Sequence, residues 1–392
     1  MQFGAHLQGD APIGSCLSCG IDSSSIVTIL QALRSDGALD ATPLTQHTFT
    51  ASLPNSGVDE AGFADAVVRA CGGLQQHVVT PTPTGLLAAM PSLLCCQEQP
   101  FALPNVYMQW EIMRSARDAG LKVLLDGQGA DEIFCGYEGY VPMHLAHLLG
   151  RFSLVTLLRE WRAARHLHFA QTSLLPSVVA AALPSKRRNA WRLRSNARKQ
   201  PWLSRELLEA EQAAGMCGEL DITPPDSIEV PKDAPAAMGR LWELFRHDSL
   251  PSLLRFEDRN SMAFSIESRV PFLSNGMVEY AMALPISQKI RNGVLKSPLR
   301  DAMRQRVPES ILDRTDKLGF SVPIVDWMKG GLRAWWSDLL ASRSFADRGC
   351  FEVNRLNSVK ARLERGDTFA ARSIWRMALT EEWARVFLDR SG

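Results

Sequence analysis

The stretch Ile13-Gly14-Ser15-Cys16-Leu17-Ser18-Cys19-Gly20-Ile21-Asp22-Ser23-Ser24-Ser25-Ile26-Val27 constrains the fold more than any other part of the chain. A short apolar segment runs into small hydroxyl and Gly residues, and a helical pattern follows at once. Asp22, Ser23 and Ser24 stand where N-cap and first-turn residues belong. Ile26, Val27, Ile29, Leu30 and Leu33 then recur at helical spacing. A Ser/Gly turn between a strand and a helix N-terminus is an anion site, because backbone N–H groups and the positive helix end face the bound group. An Asp in such a turn suits magnesium. The same residues also suit an ordinary capped helix after a strand. Neither common phosphate loop is present: the stretch is not Gly-x-x-x-x-Gly-Lys-Ser/Thr, nor is it Gly-x-Gly-x-x-Gly with an acidic residue beyond it.

The pattern continues downstream. Residues 46–53, 74–80 and 121–125 have the β-branched and apolar content of strands. Residues 59–71, 85–95 and 107–119 read as helices, the first with Phe63, Ala66, Val67 and Ala70 on one face. The alternation predicts an α/β fold, a parallel sheet with helices on both faces and ligands at the C-terminal strand ends. A second glycine-rich turn, Asp126-Gly127-Gln128-Gly129-Ala130-Asp131, falls at such an end, and Asp131 opens the helix after it. Alone it is a tight turn with a helix-capping Asp. With Asp22 it supplies a pair of carboxylates suited to magnesium on a polyphosphate.

The chain of 392 residues is long enough for two or three units. A net charge of +1 gives no global field for nucleic acid or a membrane surface. Without a long apolar run or a leader pattern, a cytoplasmic protein is expected. The eight cysteines are scattered, which suits reduced thiols, and Cys16-x-x-Cys19 lacks a second pair to complete a zinc set. The nucleotide-binding α/β core is expected over 1–140. A variable helical insertion and linker follow over 141–240, and a mainly helical part over 241–392 completes the site. Within the insertion, the basic run from Lys186-Arg187-Arg188 to Arg198-Lys199 suits either RNA or a solvated helical face, and the near-neutral charge favours the latter. Residues 221–236 read as a linker.

Three charged motifs mark the last third: Asp258 to Leu273, Leu295-Lys296-Ser297-Pro298-Leu299-Arg300, and Arg314 to Pro323 with Lys317 inside it. Lysines beside a phosphate neutralise charge that develops during adenylyl transfer.

Ser18 to Ser24 resembles the pyrophosphate loop (PP-loop) of the N-type ATP pyrophosphatases, Ser-Gly-Gly-x-Asp-Ser-Ser, with Cys19 in place of the first Gly. A Cβ there would crowd the pyrophosphate or force a backbone angle that Gly tolerates better. With Asp126 to Tyr137 and the three later motifs in order, the chain resembles the synthetase domain of the asparagine synthetase B family. The resemblance covers nearly the whole chain and is weakest over 141–240. It implies an adenine nucleotide alpha hydrolase-like PP-loop fold. It also implies a two-step reaction: a carboxylate attacks the α-phosphate of ATP, and an amine, usually ammonia, then displaces AMP to form an amide. On that resemblance Ser18, Gly20, Asp22, Ser23 and Ser24 hold pyrophosphate. Leu17, Ala51, Asp126 and Gly127 contact adenosine, and Asp22 and Asp131 carry Mg2+. Lys296 and Lys317 serve the phosphates, and Glu267 and Arg269 shape the acid side. Gln128 stands where asparagine synthetases often have Glu, and an amide cannot act as a base toward ammonia. Gln2 stands where glutamine-hydrolysing members carry Cys, so no glutaminase activity is expected. Ammonia would then be free, delivered by a separate glutaminase subunit, or replaced by another amine. Asparagine synthesis from aspartate is the leading expectation. The alternatives are a tailoring amidotransferase or cyclase on another acid, a tRNA-modifying enzyme, and a non-catalytic ATP-binding subunit.

Overall fold

The computed structural model describes residue 7 and residues 11–35, 45–54, 56–57, 59–182, 202–204, 206–207, 209, 235–314 and 321–389. Strands β1 (Ile13–Cys16), β2 (Gln46–Ala51), β3 (Leu74–Val79) and β4 (Val123–Leu125) form where the β-rich segments stand. They alternate with helices α1 (Ile21–Ser35), α2 (Ala61–Cys71), α3 (Pro83–Gln97) and α4 (Asn105–Asp118). All pairings are parallel, in the order β3-β2-β1-β4-β5. The fifth strand comes from the last third, which is mainly helical as expected. β5 (Glu267–Arg269) sets Val123 against Glu267 and Leu125 against Arg269. Three polar residues carry no β-pattern of their own; the open edge of β4 supplies the pairing.

β1 lies at the centre, so the turn after it opens between two neighbours, where the strand order reverses. Gly14 permits this packing: a Cβ there would lie 2.6 Å from Leu121 Cδ1. Alternation of side chains divides the core. Phe49 and Leu124 enter one cluster with α3, α4 and the C-terminal helix Thr368–Phe387. Leu17 and Leu125 enter the other, with α1 and the segments around Trp242 and Ile311. Each large side chain removed fully from water contributes about 1.5–3 kcal/mol before the entropy of ordering is set against it. On α2 the buried residues are Ala64 and Val67 and Ala70 is exposed, so the inward face is rotated from the expected one.

A short helix, α5 (Ala130–Phe134), follows the second glycine turn. Helices α6 (Tyr140–Gly150), α7 (Leu154–Ala163) and α8 (His168–Ala182) enclose a small core of Val141, Leu145, Ala164, Leu167, Leu174 and Val178. The basic run at 186–199 and residues 221–234 lie outside the described residues; Pro235, at the end of the expected linker, begins the helix Pro235–Arg246. Among the described residues no helix is long and apolar enough to cross a membrane.

Candidate active site

The loop after β1 is closed by its own hydroxyls. Ser23, in the first turn of α1, accepts the Ser18 N–H at 3.1 Å, and the two hydroxyls lie 3.2 Å apart. Cys19 has φ 63°, the left-handed region that Gly enters without strain. Its side chain is buried, beside Glu60 and Ala64 of the α2 entry, and does not enter the open space above the loop. Burial pushes its thiol up to about 12, so it is a thiol and not a thiolate. Arg314, which also lines the cavity, supports the loop by donating to the Cys19 carbonyl at 3.3 Å and pairing with Glu60.

A cavity of about 1290 Å³ opens over the C-terminal ends of β1 and β4. Ser18, Gly20, Asp22, Asp126, Gly127, Gln128, Asp131 and Lys296 all line it. Lys296 is its charged centre. The ammonium lies 2.7 and 2.6 Å from the two Asp22 oxygens and 2.6 Å from Asp131 Oδ1. All three groups are buried or nearly so, which strengthens the attraction and makes an unpaired member costly. Gly136 shows how tightly this trio is enclosed. A Cβ there would stand 1.9 Å from Asp131 Oδ1 and 2.1 Å from Lys296 Cε. Gly127 likewise lets the two loops meet, since its Cβ would lie 3.0 Å from Asp22 Cβ.

The two carboxylates from separate loops converge on one positive charge. That arrangement fits a hard divalent cation bound through oxygen, with the ammonium beside it or displaced toward phosphate.

Other expected residues are placed differently. Ser23 and Ser24 are buried beneath the loop and Leu17 is fully buried. Ala51 ends β2 half-buried. None of these four lines the cavity. Glu267 and Arg269 also lie off the cavity wall, paired with each other at 2.7 Å on β5. Lys317 lies outside the described residues.

Three further residues at or behind the cavity were given no role in the sequence. Arg300 donates to the carbonyls of Leu295 (3.0 Å), Leu312 and Arg314 (2.9 Å), tying the Lys296 segment to the Arg314 segment. Glu257 is buried behind the site, bonded to Ser268 of β5, near Asp126. Burial, then the Asp126 charge, raises the Glu257 pKa well above the ordinary carboxyl range, and burial raises Asp126 as well. Gln109 reaches the cavity from α4, where Asn260 donates to it at 3.1 Å. Arg300 at least closes the Lys296 motif; nothing in the local pattern distinguishes Glu257 or Gln109 from helix-surface residues.

A five-stranded parallel sheet flanked by helices, with a serine loop at its switch point, defines an α/β protein of the PP-loop, adenine nucleotide alpha hydrolase-like fold. The chain belongs to the asparagine synthase family, whose profile matches residues 3–385. A Mycobacterium tuberculosis protein provisionally named a glutamine-hydrolysing asparagine synthetase is 28% identical over 98% of this chain and 56% of its own length. Asparagine synthetase [glutamine-hydrolyzing] 1 of Bacillus subtilis is 26% identical over 86% of this chain and 50% of its own. The amidase chyE of Penicillium rubens is 23% identical over 89% and 55%. The chain thus spans about half the length of the curated relatives it matches.

Proposed function

We propose that this chain is an ATP-dependent, AMP-forming amide ligase, and that aspartate and ammonia are its substrates. The observation that carries this reading is the buried Lys296 ammonium held by Asp22 and Asp131 directly beside the serine loop. In-line attack of a carboxylate on the α-phosphate expels pyrophosphate, and such chemistry needs positioning and cations more than an enzyme nucleophile. The loop N–H groups and the start of α1 receive the leaving pyrophosphate. Lys296 moves its charge from the carboxylates toward the α-phosphate as negative charge builds there. Asp22 and Asp131 hold Mg2+, which when bound neutralises polyphosphate charge. Lys317 serves the same phosphates. Asp126 and Gly127 border the adenosine, while Leu17 and Ala51, off the cavity wall, support the strand ends behind it. Gln128, on the cavity wall, orients the amine by hydrogen bonding and leaves the amine to enter already deprotonated. Glu267 and Arg269 act on the acid side by shaping the end of β5.

A second reading is favoured by one observation. Gln128 puts an amide at the acceptor side, and two relatives are named amidases. On that reading the carboxylic acid is larger than aspartate and the chain is a tailoring amidotransferase. The buried outward turn of Cys19 leaves the loop open to an anion, which supports both catalytic readings over a non-catalytic subunit.

ATP–pyrophosphate exchange with magnesium and L-aspartate, repeated over a panel of carboxylic acids, tests this. Exchange with aspartate, followed by asparagine and AMP on adding ammonium, is expected. Exchange with another acid alone would transfer the assignment to the tailoring reading. ATP binding without exchange for any acid would overturn both.

A further inference from the structure

Lys296 stands three residues beyond a tight turn. Arg291 and Val294 exchange backbone hydrogen bonds of 3.1 and 2.9 Å around Asn292 and Gly293. Both central residues have positive φ, 51° and 69°, as an Asn-Gly turn of the mirror-image type requires. The two central N–H groups point the same way, and each meets one oxygen of a single carboxylate. Asn292 N–H donates to Glu160 Oε1 and Gly293 N–H to Glu160 Oε2, both at 3.0 Å. Glu160 belongs to α7, in the helical unit where the family resemblance is weakest, and is 4% exposed. The turn also lies hard against the end of α7: a Cβ on Gly293 would come within 2.7 Å of the Ala163 carbonyl. Lys296 itself is at φ 54°, so its backbone needs outside support to stay where it is.

We infer that Glu160 is a positioning residue for Lys296, and that through it the α6–α8 unit sets the geometry of the reacting phosphate site. A buried carboxylate held by two charge-assisted bonds is a rigid anchor. From the anchored turn, Val294 and Leu295 lead to Lys296, and the Ser297 hydroxyl donates back to the Val294 carbonyl at 2.8 Å. Losing the anchor leaves every group of the Asp22–Lys296–Asp131 trio present but lets the lysine wander from it. The catalytic part of this inference rests on the ligase reading; the positional part does not.

The experiment therefore has two arms. The first measures acetylation of Lys296 against exposed Lys329 by mass spectrometry at pH 8, in the full chain and in its Glu160→Ala, Glu160→Gln and Gly293→Ala variants. Lys296 is 2% exposed and should be protected in the parent chain. The Lys296:Lys329 ratio should rise at least about fivefold in each variant that keeps its far-ultraviolet dichroism, the amount by which opening the turn would unmask it. An unchanged ratio in the folded variants would overturn the inference, whatever the enzyme's activity. The second arm measures pyrophosphate exchange with the acid found active. Glu160→Ala should lower kcat roughly tenfold or more while the KM for ATP moves less than about threefold, the pattern of a misplaced reacting group. On a Lys296→Ala background the same substitution should cost nothing further. A full additive loss there would show that Glu160 acts elsewhere. If the parent chain exchanges with no acid, it is the ligase reading that fails, and the acetylation arm still decides the role of Glu160.

Discussion

Lys296 carries a backbone at φ 54° and an ammonium within 2.7 Å of two carboxylates, so both its conformation and the placement of its ammonium depend on its neighbours. Replacing it with Met leaves Asp22 and Asp131 facing each other across a buried space. The variant should lose about 3 kcal/mol of stability in metal-free buffer, the cost of breaking a buried pair. Part of that loss should return with millimolar MgCl2, because the two carboxylates then share a divalent cation. Thermal unfolding with and without magnesium reads this, and a variant indifferent to magnesium would speak against the metal assignment. Its pyrophosphate exchange should fall about 10²-fold or more, as for other lost charge-stabilising groups. Cys19 presents the opposite case, a residue whose chemistry is idle. With its thiol pushed up to about 12, it should resist iodoacetamide in the native chain at pH 8, while exposed Cys95 reacts. Peptide mapping after brief alkylation checks the order. The departure at Cys19 was visible in the sequence, and so were the two ways it could matter. Only the fold of α2 over the loop decides between them, by giving the side chain a buried place away from the anion site.

Elements bring these residues together, and here local pattern and tertiary context part ways. The strand–loop–helix at 13–35 was legible because propensity, capping and apolar spacing agree over one short stretch. Asp131 and Lys296 were legible as types, but not the contact between them, which depends on the space left by the missing side chain at Gly136. Gly136→Ala should abolish measurable exchange, since its Cβ would overlap both side chains; Gly139→Ala, three residues on in open space, should keep activity within about twofold and leave stability within about 0.5 kcal/mol. β5 was illegible because Glu267-Ser268-Arg269 becomes a strand only against β4. Glu257, on the helix Ser249–Met262, was illegible for the same reason: it becomes a buried acid only when that helix covers Asp126 and Ser268. Its raised pKa has a consequence of definite sign. The folded chain keeps the Glu257 proton after the unfolded chain has lost it, so this group's contribution declines as pH rises from the ordinary carboxyl range toward the folded value. Glu257→Gln, which mimics the protonated acid, should show a smaller fall in melting temperature between pH 5 and pH 8 than the parent. Parallel pH profiles for the two proteins would remove Glu257 from the account.

At the scale of the whole molecule, the sheet is a joint product of distant parts of the chain. Among the described residues, 1–140 hold four strands and the serine loop, yet β4 finds its outer neighbour in β5, more than a hundred residues later. The core beneath α3 and α4 is completed by Ile374 and Trp375 of the C-terminal helix, both fully buried, with the Trp375 indole N–H donating to the Phe101 carbonyl at 3.2 Å. The α/β pattern in the sequence marks where the strands and helices of residues 1–140 begin and end. It carries no information on which later helix will close their apolar faces, because that choice is made by tertiary packing between segments far apart in the chain. A polypeptide of residues 1–140 should therefore lack a cooperative thermal transition and bind a hydrophobic dye, having lost both an edge partner and half of one core. Adding residues 235–392 in trans should restore a transition, since that piece carries β5, Lys296 and the C-terminal helix together. A sharp transition from 1–140 alone would instead establish this part as an independent folding unit. Calorimetry distinguishes the two outcomes. It also bears on the candidate site: Asp22 and Asp131 belong to the first piece and Lys296 to the second, so halves that fold only together would bring the trio into place only when the whole molecule has closed.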